Sequence, residues 1–193
     1  EMCIRDRFLR AGDEPVYIGF GSMVSGDMGE LAEIIRQAVK LSGVRAVVAL
    51  GWGQQEAKTK DANIFYVKSV PHDWLFPHMA GAVHHGGAGT TATSLRHALP
   101  TLVVPFGGDQ PFWAERVYAA GCGPKAIPRD KLTAENLAEG LRALISNPEY
   151  TRNAACIGEA LRNEHGCANA ADLIEKAVWD WENGNPAQDV MNI

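Results

Sequence analysis

Ala82-Val83-His84-His85-Gly86-Gly87-Ala88-Gly89-Thr90-Thr91-Ala92-Thr93 is the stretch whose reading decides the fold of this chain. The apolar run from Gly81 to His84 reads as a strand, the three glycines in four positions read as a turn, and the Ala/Thr/Leu run that follows reads as a helix ending near Pro100. The first amides of a helix have no intrahelical acceptor, and the aligned peptide dipoles leave roughly half a positive charge there. Glycines at that mouth let an anion approach the backbone N–H groups closely. The stretch is therefore expected to cradle a phosphate through Gly86, Gly87, Gly89 and the hydroxyls of Thr90 and Thr91. His84 and His85, adjacent at a strand end, should point to opposite faces, with His85 toward the site as a phosphate donor.

Outward from the cradle, strands alternate with helices. Pro15 to Phe20 reads as a strand that enters Gly21-Ser22-Met23, and a helix follows over 27–42, with Asp27 and Glu30 as a capping box and Gly43 as its stop. Leu31, Ile34, Ile35, Ala38 and Val39 share one face of it. Val44 to Leu50 is apolar apart from one Arg, as suits the interior of a parallel sheet. After a polar loop, Asn63 to Val67 reads as a third strand that leads into Val70-Pro71-His72. Thr101 to Pro105 is a strand after the cradle helix; its loop carries Asp109 and Gln110, and Pro111 opens the next helix. Residues 123–128 read as a last short strand, and helices are expected over 133–145, 148–163 and 168–181.

This alternation predicts an α/β, Rossmann-like doubly wound parallel sheet with ligands at the C-terminal strand ends. Residues 1–13 are expected to be an irregular segment at a fragment's start, 14–182 one domain and 183–193 a flexible tail. The chain of 193 residues is 46% hydrophobic and carries a net charge of −5, which argues against nucleic acid as a partner. Its four cysteines include no C-x-x-C pair and read as reduced thiols of a cytoplasmic protein. No apolar run approaches the ~18 residues of a membrane span. With no acidic pair near the cradle and no His/Cys pair at ligand spacing, no metal cofactor is expected, and chelation with EDTA is expected to leave ligand binding intact.

A phosphate cradle followed, one strand later, by an Asp-Gln pair suits a ligand with both a phosphate and hydroxyls, such as a sugar nucleotide. Val83-His84-His85-Gly86-Gly87-Ala88-Gly89-Thr90-Thr91 together with Pro105-Phe106-Gly107-Gly108-Asp109-Gln110-Pro111-Phe112-Trp113 resembles the C-terminal, donor-binding half of family 1 glycosyltransferases, nearest the sterol 3-beta-glucosyltransferases. Gly19-Phe20-Gly21-Ser22-Met23, Val70-Pro71-His72-Asp73-Trp74-Leu75-Phe76-Pro77 and Gly121-Cys122-Gly123-Pro124 extend the match.

The resemblance implies a GT-B fold and inverting hexosyl transfer from UDP-glucose or a similar UDP-sugar to a sterol or other lipophilic alcohol. It also implies a donor site in this half, and an acceptor site and catalytic base in a missing N-terminal half. It leaves room for peripheral contact of the complete protein with a membrane surface. Carried over, Val70 and His72 border the uracil, Ser22, His85, Gly87, Gly89 and Thr90 hold the diphosphate, and Asp109 and Gln110 hold the hexose. Plant members place a base-stacking tryptophan where Ser69 stands here.

Two alternatives stay open at this point. Gly87-Ala88-Gly89-Thr90-Thr91-Ala92 also fits the G-x-G-x-x-A fingerprint of an NAD(P)-binding oxidoreductase domain, and a module that binds nucleotide-sugars without catalysis would share the cradle. Trp179 and Trp181, with Ile174 and Ala177, give the last helix a face that suits either a partner or packing against the preceding helices; the resemblance favours the partner.

Overall fold

The computed structural model describes residues 2–21, 28–49 and 61–184. It groups the chain into two compact units, Glu1–Leu161 and Arg162–Ile193, where the sequence suggests one domain over 14–182. The first unit is built on five short parallel strands: β1 (Val16–Gly19), β2 (Ala46–Ala49), β3 (Ile64–Val67), β4 (Gly81–His84) and β5 (Thr101–Val103). They lie in the order β3-β2-β1-β4-β5. Val16 sits opposite Ala46 on one side and Gly81 on the other, and Ala82 opposite Thr101. The order reverses between β1 and β4, so the connections leave the sheet in opposite directions and open a crevice at the C-terminal ends of those two strands.

The period-2 alternation of the strands sends side chains to two separate cores. Val16 and Ile18 of β1 join Val83, Leu102 and the apolar face of α2 (Met28–Ser42), with Leu137, Leu141 and Leu144 completing this layer. Tyr17 points the other way, into a core with Val47, Val67, Leu75, Phe76, Met79, Ala82 and Leu99. Each of the fully buried Leu side chains is worth about 1.5–3 kcal/mol relative to exposure.

The crevice is bordered by α3 (His72–Leu75), which runs into a 3₁₀ turn at Phe76–His78, and by α4 (Ala88–Arg96). α4 stops where Ala98 turns to φ 60°, two residues before Pro100. Beyond β5 come α5 (Gln110–Ala119), α6 (Ala134–Ser146) and α7 (Pro148–Arg162). Thr133 and Asn136 close a reciprocal capping box on α6. The described part of the second unit is essentially one helix, α8 (Gly166–Glu182), in which Leu173, Ile174, Val178, Trp179 and Trp181 are all exposed, Trp181 at 82%.

Two expectations are corrected. Residues 1–13 are not irregular throughout: Met2–Arg10 forms a helix, α1. Its support is remote in sequence, for Phe8 stacks on Phe65 at 5.5 Å, and the Arg45 guanidinium lies 4.2 Å over the Phe8 ring and donates to the Phe8 carbonyl. Residues 123–128 form no strand, because Pro124 and Pro128 lack the N–H a ladder needs. Among the described residues, isolated bonds from Ile127 N to Val103 O and from Arg129 N to Pro105 O tie this stretch to β5 and its loop. Asp27 and its proposed capping box, Ser22, and the tail over 185–193 lie outside the described residues.

Candidate functional site

The two histidines at the end of β4 part as strand geometry requires. His84 is completely buried. Its Nδ1 accepts from the Gly86 amide at 3.0 Å, which leaves the proton on Nε2, 3.2 Å from Ser94 Oγ. Ser94 Oγ in turn donates to the Thr91 carbonyl and accepts from Thr101 Oγ1. This chain of bonds ties the glycine turn, α4 and β5 together. Burial first, then the neighbouring His85 and His72, pushes the His84 imidazole down to about 3, so it is neutral.

His85 faces a cleft of about 370 Å³ lined by Tyr17, Gly19, Gly21, Ala49, Lys68, Ser69, Val70, His72, His85 and Thr90. The cleft sits at the C-terminal ends of β1 to β4. A Cβ on Gly87 would lie 2.6 Å from His85 Nε2, so only glycine there leaves the ring its place. His85 Nδ1 is buried and has no hydrogen-bond partner among the described residues. Burial lowers the His85 imidazole, opposed by the field of Asp109. Gly87 is the N-cap of α4 in an extended conformation, and its side of the helix carries no side-chain cap, so the first-turn amides of Ala88, Gly89 and Thr90 remain for a ligand. A Cβ on Gly89 would meet nothing within 4 Å.

Of the residues expected to act, the cleft therefore gathers Val70, His72, His85 and Thr90 beside the mouth of α4. Asp109 precedes α5 without capping it; its Oδ2 accepts from Trp113 Nε1 at 2.8 Å. Gln110 is 6% exposed, and its Oε1 accepts from the Phe106 and Gly107 amides at 2.7 and 3.2 Å. The Gln110 carbonyl thus holds the Pro105–Gly108 loop that presents Asp109.

Sequence reasoning missed Tyr17, which lines the cleft and reaches His72 Nε2 at 3.1 Å. A signal was available: Tyr17 and Gly19 lie on the same face of β1, and a Cβ on Gly19 would collide with the Tyr17 phenol. Lys68, at the end of the third strand, was also passed over. Among the described residues no group of three or more His, Cys, Asp or Glu is placed to hold a metal ion, and no helix is long and apolar enough to cross a membrane.

The model of the erythromycin biosynthesis protein CIII-like C-terminal domain matches residues 32–174. A sterol 3-beta-glucosyltransferase of Arabidopsis thaliana is 43% identical over 177 residues, which are 89% of this chain and 29% of that protein. The chain thus spans less than a third of that relative. Among solved structures, the glycotransferase of kitacinnamycin superposes with a TM-score of 0.74 at 25% identity, covering 86% of this chain and 44% of the other. The glycosyltransferase VinC, in complex with dTDP, superposes with a TM-score of 0.67 at 27% identity over 82% of this chain and 40% of its own.

Proposed function

From the premise that this chain belongs to the erythromycin biosynthesis protein CIII-like C-terminal domain family of glycosyltransferases, we propose that its cleft binds the nucleotide of a UDP-sugar donor. In the complete protein this half would serve inverting transfer of a hexose, glucose above all, to the hydroxyl of a sterol or similar lipophilic alcohol. The observation that carries the reading is the meeting of the α4 first turn, His85 and Thr90 in one cleft at the point where the strand order reverses. Likeness to a plant sterol glucosyltransferase supports the substrate class, and likeness to part of a glycosyltransferase whose structure holds dTDP supports a nucleoside diphosphate as ligand.

The chemistry follows from where charge develops. As the acceptor oxygen attacks the anomeric carbon, the bond to the β-phosphate breaks and negative charge grows on the departing diphosphate. Fixed amide dipoles, the positive end of α4 and a His85 donor are preorganised to meet it, an arrangement typically worth about 3–4 kcal/mol per donor removed. Asp109, held by the Trp113 indole, accepts hydrogen bonds from hexose hydroxyls, and Gln110 keeps its loop in place. The base that takes the acceptor proton is assigned to sequence outside this chain, so the chain binds donor without turning it over.

Titration calorimetry with UDP, UDP-glucose and NAD tests the reading. UDP and UDP-glucose are expected to bind and NAD to bind at least tenfold more weakly. Preference for NAD would return the fingerprint at Gly87–Ala92 to a dinucleotide site and overturn the proposal.

A further inference from the structure

Ser69 offers no ring to a nucleoside, yet the cleft beside it has a tightly organised aromatic wall. His72 stacks on the fully buried Phe76, ring centroids 4.5 Å apart and planes inclined by 14°, and Tyr17 meets both rings edge-on at 5.3 and 5.2 Å. The Tyr17 oxygen lies 3.1 Å from His72 Nε2 across 55 residues of sequence. His72 Nδ1 has no hydrogen-bond partner among the described residues.

We infer that Tyr17 is a positioning residue for the nucleoside end of the cleft: its phenol fixes the His72 tautomer whose proton sits on Nδ1, making that N–H a donor to a carbonyl or hydroxyl oxygen of the nucleoside. The inference rests on the donor-cleft reading above. A pair made of a neutral phenol and a neutral imidazole can share its hydrogen bond in two ways. If Nε2–H donated to Tyr17, the phenol hydrogen of a 4% exposed side chain would have no acceptor among the described residues, and an unmade buried bond is costly. If Tyr17 donates to Nε2, the phenol is satisfied and the proton must reside on Nδ1, since the bond made at one ring nitrogen sets the state of the other. Burial favours the neutral form of both groups, raising the Tyr17 phenol to about 12 and lowering the His72 imidazole. The Phe76 stack then fixes the ring plane, so both the identity and the placement of the donor are set before a ligand arrives.

The tautomer can be read directly from two-bond proton–nitrogen correlations of the imidazole, and its consequence from UDP affinity. The wild-type chain is expected to show His72 protonated at Nδ1. Tyr17→Phe should shift it to the Nε2–H form that histidine prefers in water, and weaken UDP binding about three- to tenfold. In His72→Asn, whose amide donates whatever Tyr17 does, Tyr17→Phe should change UDP affinity less than twofold. An Nε2–H spectrum in the wild type overturns the inference while leaving the donor-cleft reading intact. So does an equal loss from Tyr17→Phe in both backgrounds, which would mean a packing role alone. Failure of UDP to bind at all overturns the donor-cleft reading, and with it the donor role of His72, though not its tautomer.

Discussion

His84 and His85 share a strand end, a residue type and a peptide bond, and they do unrelated work. One is fully buried in a closed network of Gly86, Ser94 and Thr101; the other lines the cleft with an imidazole nitrogen that has no partner among the described residues. The difference teaches that the turn after β4 has a buried underside and a cleft-facing side, set by the alternation at the strand end. Substitutions should therefore separate stability from binding across this one peptide.

The largest effect is expected from His84→Ala. Truncation leaves the Gly86 amide and the Ser94 hydroxyl without their partner and opens a cavity, a combination that costs about 3–4 kcal/mol of stability by denaturant unfolding. His85→Ala should instead lower UDP affinity by about 1.5–3 kcal/mol, the loss of a hydrogen bond to a charged group, with stability changed by less than about 1 kcal/mol. Equal loss of stability in the two variants would dissolve the comparison.

Acid sharpens the same contrast. His84 is depressed in the folded protein from its ordinary 6.5 to about 3, so the unfolded chain takes up a proton that the folded chain refuses. Its contribution to stability is complete above pH 6.5 and is lost as pH falls toward 3, by up to about 1.4 kcal/mol per pH unit. His72 and His85 are lowered too and push in the same direction. Unfolding free energy that holds constant between pH 6.5 and 4.5 would mean that His84 is not held neutral.

A smaller effect is expected at Asp109, in the loop before α5. Asp109→Ala should leave UDP affinity within twofold of wild type while removing the extra affinity of UDP-glucose, about 1.5 kcal/mol at most. Calorimetry with both ligands separates the two. Weakening of UDP itself to the extent seen with His85→Ala would place Asp109 on the phosphate.

The succession of parallel strands and helices and the strand-turn-helix of the cradle were legible because their determinants are local: apolar runs at β1 and β4, a glycine turn after His85, an Ala/Thr helix start. What escaped depends on contacts far apart in sequence. The support of α1 by Arg45 and Phe65 leaves no periodicity in residues 2–10, and the Tyr17–His72 bond joins strands and helices that no spacing rule connects. Gln110 shows the same limit at short range: its residue type suits a sugar, yet its carbonyl is taken by the Phe106 and Gly107 amides, a preference that only the loop's folded path reveals. The strand expected over 123–128 failed because two prolines removed the donors that its apolar character implied.

The central claim is that the ligand side of the cradle holds a nucleoside diphosphate, and amide chemical-shift mapping during UDP titration tests it most directly. The account predicts the largest shifts at Ala88, Gly89 and Thr90, followed by His85 and His72, with His84 and α8 little changed. Shifts centred on α8 or on the separate cleft between Asp6, Glu14 and Trp74, with the amides of Ala88 to Thr90 unmoved, would contradict it.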